Sequence, residues 1–378
     1  MRPWLGEAEA KAAAEAVASG WVAQGPRVQR FEEAFAAAIG VPHAVAVSSC
    51  TTALHLGMIA AGIGPGDEVI VPSLSFIATA NAVRYVGAQP VFADVDLSTQ
   101  NLTPQTVEPH LTGRTRAVIL VDQAGIPADL DAVRALCDPL GITVVEDAAC
   151  AAGSTYHGRP AGAGAALSAF SFHPRKLLTT GEGGMLVTPD GSTAARLRRL
   201  REHGMDVSAA DRHRSQQPVI EHYTEVGFNY RMTDIQAAIG LVQLRKLPEM
   251  VARRRALARR YQEMLSGVPG LRTAADPPWG ETNYQSFWVL LPESFPVSRD
   301  DLMRLFAEAG ISVRRGIMAA HLEPAYPGTK TRLPVTERLT KHSLILPLFH
   351  DMTRSQQDQV VSVLTSAAMR PAMRVSIP

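Results

Sequence analysis

The chain has 378 residues, and 37 Lys and Arg against 36 Asp and Glu give a formal net charge of 37 − 36 = +1. With 46% hydrophobic residues it is too apolar for a disordered chain, and without a basic surplus it lacks the signature of a nucleic-acid binder. Three cysteines, Cys50, Cys137 and Cys150, with no CxxC, argue against a disulfide framework or a structural metal site.

In chain order, the N-terminal stretch MRPWLGEAEAKAAAEA carries acids where a signal peptide needs an apolar run. No stretch of about 18 apolar residues follows anywhere, so a soluble cytoplasmic protein without membrane partners is expected. Helical spacing covers 8–18 and 27–38. Short β-branched runs come next: AVAVS at 44–48, EVIVP at 68–72, PVFADV at 90–95, AVILVD at 117–122 and ITVVED at 142–147. Helical stretches at 52–61, 76–86 and 128–138 separate them, with turn signals GPGD at 64–67, GAQP at 87–90 and DPLG at 138–141. Such alternation predicts an α/β fold with a mainly parallel sheet covered on both faces.

Beyond residue 160, SAFSF at 168–172 and GMLVT at 184–188 read as two more strands. Helices are predicted at about 192–203, 234–245 and 249–265, the last rich in arginine (Arg253, Arg254, Arg255, Arg259, Arg260) and read as a solvated face. A strand near 285–291, a helix at 299–309, a strand near 311–315 and a helix at 354–368 complete the pattern. The expected division is a large domain over 1–246 and a smaller C-terminal α+β domain over 247–378.

GxGxxG after the first strand, GxxxxGK[ST], GxSxG and HExxH are all absent. What remains lies at the loop ends of the strands, where open α/β sheets place ligands. ITVVED puts Asp147 with Val145 on one side of its strand and Glu146 on the other. A buried acid needs a partner. Asp147 therefore either caps the following segment or faces a cation such as a ring nitrogen. Lys176 follows the strand SAFSF and is either a surface lysine or a desolvated nucleophile of lowered pKa. SSCTTALHL opens a helix where Ser49, Cys50, Thr51 and Thr52 either simply cap it or seat a phosphate. Ser171 is placed to add a hydroxyl, and Phe76 either joins the core or stacks on a planar cofactor. An acid, a lysine, a hydroxyl-rich helix start and an aromatic together match the needs of pyridoxal phosphate.

These residues carry a resemblance. GWVAQGPRVQRFEEAFA, SSCTTALHL, GDEVIVPSLSFIATANAVRYVGAQPVFADVD, VVEDAACAAGS, FSFHPRKLLTTGEGG and GFNYRMTDIQAAIGLVQL stand in the order and spacing of the DegT/DnrJ/StrS sugar aminotransferases. The resemblance runs over nearly the whole chain. It implies a fold-type-I transferase of the aspartate-aminotransferase type, working with pyridoxal 5'-phosphate as a homodimer with shared sites. It further implies that Lys176 forms the Schiff base, Asp147 pairs with the pyridinium nitrogen and Phe76 lies on the ring. Cys50, Thr51 and Ser171 would hold the phosphate, and Asn229 would reach the partner's cofactor. Arg231 and His321 would contact substrate. The implied reaction is ping-pong transfer of an amino group from an amino acid, L-glutamate first, to a nucleotide-linked 3-keto or 4-keto sugar. A ketocyclitol acceptor and a non-catalytic regulatory protein are the competing readings.

The chain departs from the family pattern at three places. Cys50 stands for the usual Gly, which leaves the backbone donor intact. Cys150 stands for a Gln that contacts the ring hydroxyl. Asp122-Gln123-Ala124-Gly125 replaces His-x-Tyr-Gly, so Asp122 or Gln123 is expected to take over that role.

Overall fold

The computed structural model describes residues 2–208, 218–328 and 331–370. Its main sheet is built from β1 (His43–Val47), β2 (Glu68–Pro72), β3 (Gln89–Ala93), β4 (Thr115–Val121), β5 (Thr143–Asp147), β8 (Leu167–Ser171) and β9 (Gly184–Thr188). Between them, β6 (Thr155–Tyr156) and β7 (Arg159–Pro160) belong to a small separate sheet. The main order is β1-β9-β8-β5-β4-β2-β3, with β9 alone antiparallel to its neighbours. The strands predicted from β-branched runs are all present, within a few residues at their ends.

Every residue of β2, β8 and β9 is buried, as expected when helices cover both faces of a sheet. Alternation then divides the core. Val69, Val71, Ile119 and Val145 pack on one side with the helix Cys50–Ala60, while Ile70, Val118, Leu120 and Val144 pack on the other. Because β1, β8, β5, β4 and β2 run in one direction, their carboxyl ends share one edge.

The C-terminal part adds β10 (Arg272–Thr273), β12 (Phe287–Leu290), β13 (Arg314–Arg315) and β14 (Ser343–Leu346) as an antiparallel sheet of order β10-β12-β14-β13. Strand β11 (Gly280–Glu281) crosses over to pair with β6. Strand β14 and the helix Pro334–His342 were not foreseen, because the four-residue run SLIL follows the helix with no turn residue between them.

Two expectations are corrected. The helices predicted at 234–245 and 249–265 are one 32-residue helix, Asp234–Leu265, which runs through Pro248. A proline there removes one helical hydrogen bond, and burial of Leu247 and Met250 on either side holds the helix together. The arginine cluster is also not a uniformly solvated face. Arg254 is buried and donates to the carbonyls of Tyr284 at 3.0 Å and Gln285 at 3.1 Å. Arg255 pairs with Asp276 at 2.8 Å, and Arg253 reaches the carbonyls of His350 and Met352.

Candidate active site

At the carboxyl edge of the sheet, three strand ends converge through their register. Gly184 of β9 lies opposite both Val47 of β1 and Ser171 of β8. A Cβ on Gly184 would stand 2.4 Å from the carbonyl carbon and oxygen of Ser49 and 2.6 Å from Cys50 N. Only glycine lets β9 approach the helix start so closely, so the TTGEGG turn carries packing meaning that sequence reading left unassigned.

The helix Cys50–Ala60 begins in a capping box. Ser49 Oγ accepts from Thr52 N at 3.2 Å, and Thr52 Oγ1 accepts from Ser49 N at 3.1 Å. Ala53 N then bonds to Ser49 O. Of the first-turn amides, those of Cys50 and Thr51 are left without an intrahelical acceptor. They lie at the positive end of the helix, across Gly184 from Ser171. The capping reading of SSCTT therefore holds, and amides left free at such a helix end are chemically able to seat a phosphate.

Asp147 ends β5 and is buried. Its carboxylate accepts from Thr79 Oγ1 at 2.9 Å and from Ala149 N at 3.2 Å, and Thr79 is in turn held by Ser75 at 2.9 Å. Burial outweighs these bonds and the attraction of Lys176, pushing the carboxyl above its usual range. A cation bound against it would reverse that balance. The alternation predicted for this strand holds: Glu146 faces the other way, accepting from Gly162 N and Ser168 Oγ.

Lys176 is not a free surface lysine. Its Nζ lies 3.1 Å from Cys150 Sγ, and Cys50 and Asp147 act on it electrostatically. The expected lowering of its pKa is corrected. Burial does push the amine down, but Cys150, Cys50 and Asp147 outweigh burial and hold it above the usual lysine range. Burial, with Asp147 beside it, pushes the Cys50 thiol well up. One buried acid, one amine and two sulfurs therefore form a single electrostatic group.

The other predicted residues fall into place differently. Phe76 is 62% exposed, so it is not a core residue, and its ring is open to a planar partner. Asn229 is exposed and bridges to Glu202, while its neighbour Tyr230 accepts from Ser48 N at 2.8 Å beside the helix start. Arg231 is half-buried on the same segment. His321 is buried, with Nδ1 2.6 Å from Ser73 Oγ, and Glu337 stands 3.7 Å from its Nε2, too far for a hydrogen bond. It fastens the segment after β13 to the end of β2. Gln123 donates to Leu74 O, and Asp122 Oδ1 accepts from Ala128 N at 2.9 Å, so both residues of the departing DQAG stretch serve buried bonds of their own.

Two residues went unread in the sequence. Asn283 Nδ2 donates to Cys150 O at 2.8 Å and Ala152 O at 2.9 Å, and Gln285 Nε2 donates to Arg175 O at 2.8 Å. Only two polar amides just before an apolar strand mark them in the sequence. Among the described residues, no three His, Cys, Asp or Glu side chains gather as metal ligands, and no helix is long and apolar enough to cross a membrane.

Comparison with known proteins identifies the family. Residues 3–365 match the DegT/DnrJ/EryC1/StrS aminotransferase family. The aminotransferase TlmJ from Streptoalloteichus hindustanus is 40% identical, with 97% of each chain covered and a TM-score of 0.89. DesV of S. venezuelae, solved with a ketimine intermediate, is 37% identical over 96% of this chain and 95% of its own, with a TM-score of 0.88. DesI, solved in the presence of its TDP-sugar product, is 35% identical over 98% and 92%, also at 0.88. The architecture is that of the fold-type-I aminotransferases, whose cofactor is pyridoxal 5'-phosphate. The unpaired amides, the lysine and the buried acid suit the three ends of that cofactor. The chain belongs to the DegT/DnrJ/EryC1/StrS family and is a pyridoxal-phosphate-dependent aminotransferase.

Proposed function

We propose that the enzyme moves the amino group of L-glutamate to a 3-keto or 4-keto nucleotide sugar in two half-reactions. The observation that carries this reading is the half-buried Lys176, whose amine lies 3.1 Å from Cys150 and in the field of buried Asp147. A purely regulatory fold has no use for such a group. The sugar acceptor draws support from the DesI relative, solved with its TDP-sugar product.

When bound, pyridoxal phosphate supplies a carbonyl that carries the amine and a ring that takes up electrons. Lys176 would hold that group at rest, and its Nζ, once freed, would move a proton at the donor's Cα. Asp147 would hold the ring nitrogen in its protonated form, and Thr79 and Ala149 N orient its two oxygens. The amides of Cys50 and Thr51, with the Ser171 hydroxyl, hold the phosphate. Phe76 covers the ring and excludes water from one face. Arg231 lies on the substrate side, and His321 acts through Ser73 as a positioning residue.

The enzyme works as a homodimer in which Asn229 reaches the partner's phosphate. Exposed Tyr223 and Val226 on the same segment are the apolar surface such a contact would cover. The reading keeps the division into a large cofactor domain, 1–246, and a smaller one, 247–378.

The test is direct. Holoenzyme incubated with L-glutamate should release 2-oxoglutarate, and a panel of 3-keto and 4-keto nucleotide sugars should then yield one aminated product by mass spectrometry. Amination of a ketocyclitol but of no nucleotide sugar would overturn the acceptor. Release of a keto acid from another amino acid but not from L-glutamate would overturn the donor.

A further inference from the structure

The arginines of the long helix are not absorbed by the amine-transfer site. Arg253, Arg259 and Arg260 line a cavity of about 400 Å³ together with Arg354, Glu263 and Gln357. It lies between the helix Asp234–Leu265 and the C-terminal helix Arg354–Ala368, and shares no residue with the group around Lys176.

The charge in this cavity is poorly neutralised. Arg253 spends its donors on the carbonyls of His350 at 3.0 Å and Met352 at 2.7 Å, which leave its charge standing. Arg260 pairs with Asp358 at 2.6 Å. Among the described residues, no carboxylate forms an ion pair with Arg253, Arg259 or Arg354. Four guanidinium groups against Glu263 and Asp358 leave 4 − 2 = +2 in one groove, more than the net charge of the whole chain.

Arg354 is the first residue of a 15-residue helix with no acid in its first turn, so its charge adds to the positive end of the helix dipole. Gln357 is a third, independent sign. Its side chain is fully buried at the cavity, Nε2 donates to Leu257 O at 2.9 Å, and Oε1 has no donor. A buried acceptor in that state calls for an O–H.

We propose that this groove is a binding site for a small phosphate-bearing metabolite of charge near −2, separate from the cofactor's phosphate seat. Arg253, Arg259 and Arg354 supply the charge, forked guanidinium donors suit phosphate oxygens, and Gln357 takes a hydroxyl of the ligand or of its bound water.

Calorimetric titration of holoenzyme, saturated with pyridoxal phosphate, with inorganic phosphate and then pyrophosphate tests the site at fixed ionic strength. Saturable binding is expected, weakened at least tenfold in an Arg259→Gln/Arg354→Gln variant, with the cofactor's visible band unmoved. Both positions are exposed, so folding is preserved, and the variant should transfer amines as the wild type does. Three results would overturn the site: no saturable binding, equal affinity in the variant, or displacement of the cofactor band on titration.

Discussion

Gln285 Nε2 donates to the carbonyl of Arg175 at 2.8 Å, so a side chain from the C-terminal part holds the peptide next to Lys176. Two residues earlier, Asn283 holds the carbonyl of Cys150, whose sulfur touches the lysine. The two amides therefore fix the lysine loop and the cysteine loop from one short segment. Gln285→Ala deletes a bond worth roughly 1 kcal/mol. Through misplacement of the amine it should lower kcat about tenfold, while cofactor affinity changes little. Gln285→Glu should not rescue, because a carboxylate cannot donate. Steady-state kinetics check this, and an Ala variant with wild-type kcat would remove Gln285 from the positioning role.

Arg254 supports that same segment from behind. Burial pushes its guanidinium down to about 10, yet it still serves the carbonyls of Tyr284 and Gln285. Arg254→Met strands both acceptors and should destabilise the protein by about 3 kcal/mol. Urea unfolding reads the loss, and Arg254→Lys should recover part of it.

Gly184→Ala should press on Ser49 and Cys50 at the helix start. Overpacking of this kind costs about 1–3 kcal/mol, and the affinity for pyridoxal phosphate should fall with it. Gly113, where an added Cβ meets nothing within 4 Å, is the control. Equal thermal midpoints and cofactor affinities for the two alanine variants would contradict the close-approach argument.

The carboxyls of Asp122 and Glu146 are both buried and act on each other electrostatically, and among the described residues Asp122 Oδ2 accepts no N–H or O–H from another residue. Burial first, and Glu146 second, push Asp122 well above the usual carboxylate range, so the native state holds a proton there that the unfolded chain releases. The sign follows from linkage. This contribution is full below the unfolded-state pKa and is lost as pH rises through the folded one. Asp122→Asn keeps an acceptor for Ala128 N and does not titrate. The variant should therefore gain stability relative to wild type as pH is raised from 5 to 8 in urea unfolding. A constant difference across that range would count against the retained proton.

Asn229→Ala should weaken cofactor binding while Lys176 stays reactive. Because Asn229 is exposed within its own chain, the loss should appear only under conditions where the protein is dimeric. Cofactor titration at several protein concentrations measures this, and unchanged affinity throughout would count against a contact across subunits.

Much of the site was legible in the sequence because its parts are local. A helix that starts directly after a strand exposes its first amides wherever it occurs, so SSCTT could be read without neighbours. Alternation along β5 sent Asp147 and Glu146 to opposite faces as expected, since the period of a strand is fixed by its backbone. Family motifs then joined these pieces in the right order.

What the tertiary structure decided depends on partners far away in the chain. The direction of the Lys176 shift could not be read from its own loop, because Cys50, and Asp147 with Cys150, reach it from two other segments. The arginine helix looked like a solvated face until Arg254 met carbonyls some thirty residues on. Gln285 gained its role only by lying against Arg175, 110 residues earlier. Hydrophobic period and helix-end chemistry act over a few residues and survive as sequence pattern. Desolvation, charge coupling and long-range hydrogen bonds are set by which segments the fold brings together.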